Sequence, residues 1–141
     1  MLSFGKGFMK KIAFIIIVCW LITACRKNNL TPPGMEGKWQ LSSIFIQTTG
    51  TGSWHTEDSI PPDFIQFNHD GTLSMSPYVS TLYNGPVTYQ VKNDSIMIFN
   101  YPNGANALYG DNIIHFHFTD SVLTLTPPSM ELVIEKYIKV Q

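Results

Sequence analysis

The sequence predicts an all-β domain, an eight-stranded antiparallel up-and-down barrel. After residue 36, segments rich in Val, Ile, Thr, Phe and Tyr alternate with clusters of Gly, Pro, Asn and Asp, a pattern typical of strands separated by turns. The connection Asn68-His69-Asp70-Gly71 places an Asp-Gly pair between two apolar runs, which strongly indicates a hairpin. No segment of this region has a convincing helical pattern.

The predicted strands all combine β-branched or aromatic residues with alternating polar positions. They are Gly37–Gln47, Asp63–Phe67, Thr72–Ser76, Pro86–Val91, Ser95–Tyr101, Asn112–Phe118, Val122–Thr126 and Glu131–Val140. Because consecutive strands are joined as hairpins, we expect a meander. Closure of the meander into a barrel would leave no exposed sheet edge.

Alternation along each strand predicts which side chains face the core. The expected core consists of Trp39, Leu41, Ile65, Phe67, Leu73, Met75, Val87, Tyr89, Val91, Ile96, Ile98, Ile114, Phe116, Phe118, Leu123 and Leu125. The last strand is ambiguous, because Leu132, Ile134 and Ile138 share one face with Lys136.

The N-terminal segment is typical of a bacterial targeting signal. Met9-Lys10-Lys11 is basic, and the apolar run Ile12–Ala24 is shorter than the roughly 20 residues that span a membrane. The run ends Leu21-Ile22-Thr23-Ala24-Cys25, which resembles a lipobox and implies cleavage before a lipid-modified Cys25. The alternative is a buried N-terminal helix with an incidental cysteine. The expected organisation is a signal peptide at 1–24, a lipidated cysteine and tether at 25–35 and a barrel domain at 36–141.

Composition narrows the possible functions. Six basic and ten acidic residues follow Ala24, so the processed chain is acidic, and nucleic-acid binding is not expected. Cys19 would leave with the signal and Cys25 would be modified. No thiol would remain for a disulfide or a cysteine nucleophile.

The mature region resembles the lipocalin-like lipoproteins of Gram-negative envelopes. Gly37-Lys38-Trp39 is similar to the family's G-x-W on the first strand. The segment from Ile65 to Thr72 is similar to its apolar-x-Phe…Asp-Gly-Thr hairpin, and Asp120 to Thr126 is similar to its Leu-Thr-Leu strand. The resemblance implies an eight-stranded, lipocalin-like barrel with Trp39 plugging the closed end.

Candidates for catalysis and metal binding are weak. His115 and His117 have the spacing of a chelating pair, but a metal site needs a third ligand; we expect two solvent-facing imidazoles. The acidic residues Glu57, Asp58 and Asp63 are interpreted as solvated loop charges. Nucleophile and phosphate-binding motifs are not found. The expectation is a protein that is not an enzyme and carries no metal or cofactor.

Three Asp-Ser-apolar triplets have two possible interpretations. They begin at Asp58, Asp94 and Asp120 and resemble an O-glycosylation sequon of some envelope bacteria. The favoured interpretation is that the second and third are hairpin turns that lead into a strand.

The connections of the predicted barrel are unequal in length. One end has tight turns, whereas the other has the long segments Thr48–Pro62, Pro77–Gly85 and Pro102–Asp111. Long connections are often functional. The candidate ligand-binding residues are the aromatic residues of this end: Trp54, Tyr78, Tyr83, Tyr101 and Tyr109. These side chains either form a recognition surface or fold back to cap the barrel.

The sequence favours non-catalytic binding of a small apolar ligand in or at the mouth of the barrel. The alternative is a protein-binding module, such as an inhibitor or an accessory subunit of an envelope complex. We expect a monomer in the cell envelope, in the outer membrane, attached through the lipid on Cys25. Because the first strand would start at the short-loop end, the tether should leave there and the mouth should point away from the bilayer.

Overall fold

The computed structural model describes residues 31–102 and 112–140. The fold is all-β, as predicted, with one short helix among these residues. The elements are β1 (Gly37–Gln47), β2 (Gly52–Thr56), β3 (Phe64–Phe67), β4 (Leu73–Met75), α1 (Pro77–Leu82), β5 (Thr88–Asn93), β6 (Ile96–Asn100), β7 (Ile113–Phe118), β8 (Val122–Thr126) and β9 (Leu132–Lys139).

Eight strands form a nearly closed antiparallel barrel in the order β4-β3-β1-β9-β8-β7-β6-β5. This is the predicted up-and-down meander, consistent with a lipocalin-like barrel. The edge strands β4 and β5 meet at one bridge, between Thr72 and Thr88. Two backbone hydrogen bonds of 2.9 Å flank it, from Leu73 N to Val87 O and from Tyr89 N to Gly71 O. The β4–β5 seam is therefore the most thinly bonded part of the wall that the structure describes.

The ninth strand, β2, was predicted as part of a loop. It pairs with the second half of β1, whereas the first half of β1 pairs with β3. A register shift between Leu41 and Ser43 separates the two halves on the β9 side, and such a bulge bends a strand. Across the hairpin, the rings of Phe45 and Trp54 lie 5.4 Å apart. This cross-strand aromatic pair stabilises a segment whose own residues are all exposed.

Helix α1 also corrects the sequence prediction, which expected no helix. Ser76 occupies the N-cap position and Pro77 begins the helix, where the fixed φ of proline fits the first turn. Six residues are too few for a helix that is stable alone, so packing must hold it. Val79 and Tyr83, four residues apart, are both buried. Asn84 and Gly85 then take left-handed φ values of 59° and 67° and turn the chain towards β5.

The two ends of the barrel differ. The floor end carries the short connections of residues 68–72, 94–95 and 119–121, together with the segment that precedes β1. The mouth end carries the β1–β2 hairpin, α1 and the connection that follows β8. Of the predicted long segment Pro102–Asp111, residues 103–111 lie outside the described residues. The long connections were predicted at this end, although two of them contain regular structure.

Trp39 closes the floor end, as the resemblance implied. Its side chain is fully buried, and its Nε1 donates a hydrogen bond to the carbonyl oxygen of Met35 at 2.8 Å. The Phe118 ring packs against it in a T-shaped contact with centroids 5.7 Å apart. The Lys139 ammonium lies 5.2 Å from the ring centroid. The indole is thus packed and has its polar atom satisfied.

Most of the predicted core is confirmed, with one strand inverted. The fully or largely buried residues include Trp39, Leu41, Ile65, Phe67, Tyr89, Val91, Ile114, Phe116, Leu123 and Leu125. Leu73, Met75 and Phe118 are partly buried against them. In β6, however, Met97 and Phe99 face inward, whereas Ile96 and Ile98 were predicted to do so. A register shift between Val91 and Asn93 pairs Asn93 with Ile96. This shift exchanges the residues of β6 that face inward.

One further core assignment changes, and the structure decides the face of the last strand, which the sequence left ambiguous. Val87 is 44% exposed because it precedes β5 instead of belonging to it. In β9 the inward face carries Glu135 and Tyr137, both essentially inaccessible to solvent. Ile138 is 47% exposed and Leu132 45% exposed, so the face with the most aliphatic residues is the outer one.

Candidate functional site

Helix α1 covers the mouth of the barrel and sends one side chain deep into it. Tyr83, at the C-cap of the helix, is 3% exposed. Its ring meets Phe99 of β6 in an edge-on contact, with centroids 5.1 Å apart and an interplanar angle of 67°. The phenolic hydroxyl therefore reaches the inner wall of the barrel.

A buried carboxylate accepts a hydrogen bond from that hydroxyl. Tyr83 Oη donates a hydrogen bond of 2.6 Å to Glu135 Oε2, and Tyr137 Oη donates a second bond of 2.6 Å to the same oxygen. These three residues are here called the buried carboxylate cluster. Glu135 pairs with Ile44 on β1 and with Leu125 on β8, both buried aliphatic residues. A carboxylate in such surroundings depends on its hydrogen bonds.

The electrostatics of the cluster follow from this burial. Loss of solvation raises the pKa of Glu135 to about 7, although the hydrogen bonds from Tyr137 and Tyr83 act in the opposite direction. The pKa values of Tyr83 and Tyr137 are raised well above the ordinary value, by burial first and by the negative charge of Glu135 second. Glu135 thus changes its charge near neutral pH while the two phenols stay protonated.

The sequence contained a signal for this cluster that the strand pattern obscured. Glu135 and Tyr137 alternate with Val133, and Val133 is partly buried. The opposite face of the same strand, with Leu132, Ile134 and Ile138, had more aliphatic residues. Tyr83 was identified as a ligand-binding candidate, whereas its partners were not.

A groove lies on the outer wall beside the mouth, here called the flank groove. Its volume is about 570 Å³. The lining is mainly apolar, and Tyr78 is 44% exposed within it. The lining residues come from the start of β3, the start of α1 and the outer face of β1 with the chain after β9: Pro61, Pro62, Asp63, Phe64, Ser76, Pro77, Tyr78, Lys38, Gln40 and Val140.

Reciprocal bonds hold the two sides of the flank groove together. Phe64 N donates to Ser76 Oγ at 3.2 Å, and Ser76 N donates to the carbonyl oxygen of Phe64 at 3.0 Å. At the β1 side, the Lys38 ammonium lies 4.0 Å from the centroid of the Phe64 ring, a cation–π contact. Burial raises the pKa of Tyr78, and the nearby negative charge of Glu57 adds to the effect. These bonds connect the start of β3 to the residue before α1, and charged groups lie at the borders of the groove.

The structure does not gather the predicted ligand-binding residues into one site. Tyr78 lines the flank groove, Tyr83 belongs to the buried carboxylate cluster, and Trp54 is 52% exposed on the β1–β2 hairpin. Tyr101 packs partly buried against the core. Tyr109, like the predicted lipidation site Cys25, lies outside the described residues.

The histidines face solvent, as predicted for His115 and His117 on the outer face of β7. His55 pairs with Ser53 at 3.0 Å, and His69 pairs with Glu36 at 3.0 Å. Within residues 31–102 and 112–140, no three His, Cys, Asp or Glu side chains are grouped to hold a metal ion.

Comparison with known proteins finds no matching family model, curated protein or solved structure. In the part of the chain that the structure describes, no helix has the length and apolar character needed to cross a membrane.

Proposed function

We propose that this protein is a lipid-anchored protein of the cell envelope that binds a small, largely apolar ligand without catalysis. The observation that carries the proposal is the flank groove, whose volume of about 570 Å³ falls in the range of small-molecule sites. Such sites combine apolar walls with a few polar groups that orient the ligand. The groove has both.

The proposal places the ligand in the flank groove because large side chains already occupy the interior. Trp39, Phe67, Phe99 and Tyr137 are fully buried there, and α1 covers the mouth. An eight-stranded barrel has room for its own side chains or for one small ligand. Within the described residues, an interior filled by the barrel's own side chains is the better fit.

The walls of the groove suit recognition of an apolar body. Pro61, Pro62 and Pro77 give rigid apolar surface, because proline has few conformations to lose on binding. Tyr78 adds a half-exposed aromatic face. Lys38 lies at the border of the groove. Its positive charge would orient the ligand, because it favours a ligand end with a partial negative charge beside the ammonium group.

The lipobox-like segment before Cys25 supports the anchoring part of the proposal. The segment that precedes β1 lies at the floor end, where Met35 is fully buried beneath Trp39. A lipid on Cys25 would therefore hold the floor end towards the membrane. More than one acyl chain is needed for stable attachment, as a lipoprotein anchor provides.

The test is a fluorescence titration with the neutral apolar probe N-phenyl-1-naphthylamine. Saturable binding is expected, and Tyr78→Ala should weaken it at least fivefold, corresponding to about 1 kcal/mol for an aromatic anchor. Trp54→Ala is the matched control, because Trp54, at 52% exposure against 44% for Tyr78, is a comparably exposed aromatic residue that does not line the groove. Mass spectrometry of protein purified gently from its host would then search for the natural ligand. Non-saturable binding, or equal effects of both substitutions, would contradict the groove as the site.

A second candidate function, a protein-binding module, is favoured by apolar side chains exposed at the mouth end. Met130 is 92% exposed and Trp54 is 52% exposed. Exposed Trp is typical of interface anchors. The test is quantitative co-purification of envelope proteins with wild type, Trp54→Ala and Ile138→Ala, the last being an exposed aliphatic residue of the floor half. A partner that binds the mouth end should be lost only with Trp54→Ala.

A further inference from the structure

The buried carboxylate cluster has the geometry of an occupied binding site. The Tyr83 ring sits against Phe99 of β6, and its hydroxyl donates to Glu135 of β9. Tyr137, also of β9, donates to the same carboxylate oxygen. The aromatic contact and the acceptor thus belong to the barrel wall, whereas the phenol that fills the space belongs to α1. The wall would keep both groups if α1 moved away.

Helix α1 is lightly attached. It spans six residues, and its N-cap side chain makes no capping hydrogen bond, because Ser76 Oγ accepts from Phe64 N instead. Val79 is the one residue within the helix that is buried, and Tyr83 follows at its end. Its C-terminal carbonyl groups are capped, since Gly85 N donates to Ser80 O at 2.8 Å and Asn84 N donates to Thr81 O at 3.3 Å. A helix of six residues is nevertheless marginal in water on its own. The helix therefore depends on the packing of Val79 and Tyr83, together with Leu82, which is partly buried against the core.

The place of α1 in the chain permits such a movement. It connects β4 to β5, whose one bridge is Thr72–Thr88. The other wall strands are paired over longer registers. Asn84 and Gly85, both in left-handed conformations, separate the helix from β5. Displacing α1 would break few of the hydrogen bonds that hold the barrel together.

The cluster is also costly for the fold. Replacing both partners of a buried hydrogen bond by apolar groups of the same shape can be nearly neutral or stabilising. Glu135 and Tyr137 lie among aliphatic residues, where Leu and Phe would satisfy packing alone. A polar acceptor in that position is useful if a hydroxyl group must be recognised there.

We propose that Tyr83 occupies a phenol-binding site inside the barrel and that α1 is a lid, which gives up this site to a phenolic ligand. The ligand must supply an aromatic ring for the Phe99 contact and a hydroxyl donor for Glu135. A carboxylate ligand is disfavoured by the like charge of Glu135. A hydrocarbon of the same shape would leave the acceptor without its second donor. This site is separate from the flank groove and does not depend on it.

The probe for the experiment is p-cresol, which has the ring and hydroxyl of a tyrosine side chain. In Tyr83→Ala the phenol is removed while Phe99, Glu135 and Tyr137 remain. Saturating p-cresol should raise the Tm of this variant by several degrees, because a ligand that binds only the folded state stabilises it. Toluene, which has the same shape without the hydroxyl, should bind at least tenfold more weakly. Equal binding of the two compounds, or no binding of p-cresol, would mean that the cluster has a structural role only.

The lid is tested on wild type by hydrogen exchange. Saturating p-cresol should speed exchange of the amides of residues 79–85, because the ligand displaces Tyr83. Unchanged exchange would overturn the proposal, whether or not Tyr83→Ala folds. Tyr78→Ala is the control on the same helix: it removes the aromatic residue of the flank groove and leaves Tyr83 in place. If p-cresol acts in the groove instead, the change in exchange will disappear in Tyr78→Ala; if it acts in the barrel, the change will remain.

Discussion

Glu135→Gln should remove a large part of the pH dependence of stability. The folded protein holds the pKa of Glu135 at about 7, above the ordinary value of 4.5. Between these values the folded state binds a proton that the unfolded state has released, so the free energy of unfolding falls as pH rises. The stabilisation by this proton is complete below pH 4.5 and is lost as pH rises through 7.

The magnitude follows from the two pKa values. A separation from 4.5 to about 7 corresponds to roughly 3 kcal/mol, since one pKa unit is worth about 1.4 kcal/mol. Because Glu135 is fully buried, solvent screening reduces this free energy only slightly. The amide of Gln stays neutral, so the free energy of unfolding of the variant should lack the decline with rising pH that Glu135 causes. Relative to wild type, Glu135→Gln should gain on the order of 3 kcal/mol between pH 4.5 and pH 8.

The assay is urea denaturation followed by tryptophan fluorescence at several pH values over this range. Glu131→Gln is the matched control, because it changes the same functional group at an exposed position four residues earlier. Its unfolding free energy should run parallel to that of wild type. If Glu135→Gln also runs parallel to wild type, Glu135 does not titrate in the folded state as described, and the electrostatic reasoning is refuted.

Three other predictions address the anchor, the floor and the cluster. Cys25→Ser should block lipid attachment and cleavage before residue 25; a variant that is still processed and partitions into detergent like wild type would contradict the lipoprotein assignment. Trp39→Ala should lower the free energy of unfolding by about 3–5 kcal/mol, since the indole is fully buried; an unchanged Tm would contradict its role as the floor. Tyr137→Phe removes a hydrogen bond that lowers the pKa of Glu135, so the stability decline should shift to higher pH in the same denaturation series.

The sequence predicted the barrel because its signals are local. Alternation along β1, β7 and β8 fixes their inward faces, and tight turns such as Asn68–Gly71 fix which strands are neighbours. It did not predict β2, because none of its side chains is buried and a strand without a core face has no alternation to reveal. The inverted face of β6 arises from the shift between Val91 and Asn93, since one extra residue exchanges the two faces.

The candidate site was less predictable because it depends on contacts between distant residues. Tyr83 and Glu135 are 52 positions apart, and no local pattern connects them. The helix that precedes Tyr83 has six residues, too few for a clear period of 3.6. Its start did carry a signal, Ser76 followed by Pro77, and the spacing of Val79 and Tyr83 is that of one helix face.

If the protein is anchored as proposed, the pairing of strand β1 determines how the domain resists a pulling force. Any pull from the membrane would enter the domain through the segment that ends at Met35 and continue along β1. That strand pairs with β9 from Trp39 to Gln47, and with β3 and β2 on its other side. A force directed along the strand would load these hydrogen bonds together, in shear, instead of opening them one after another. The strand nearest the tether is therefore the one best placed to resist being drawn out of the barrel.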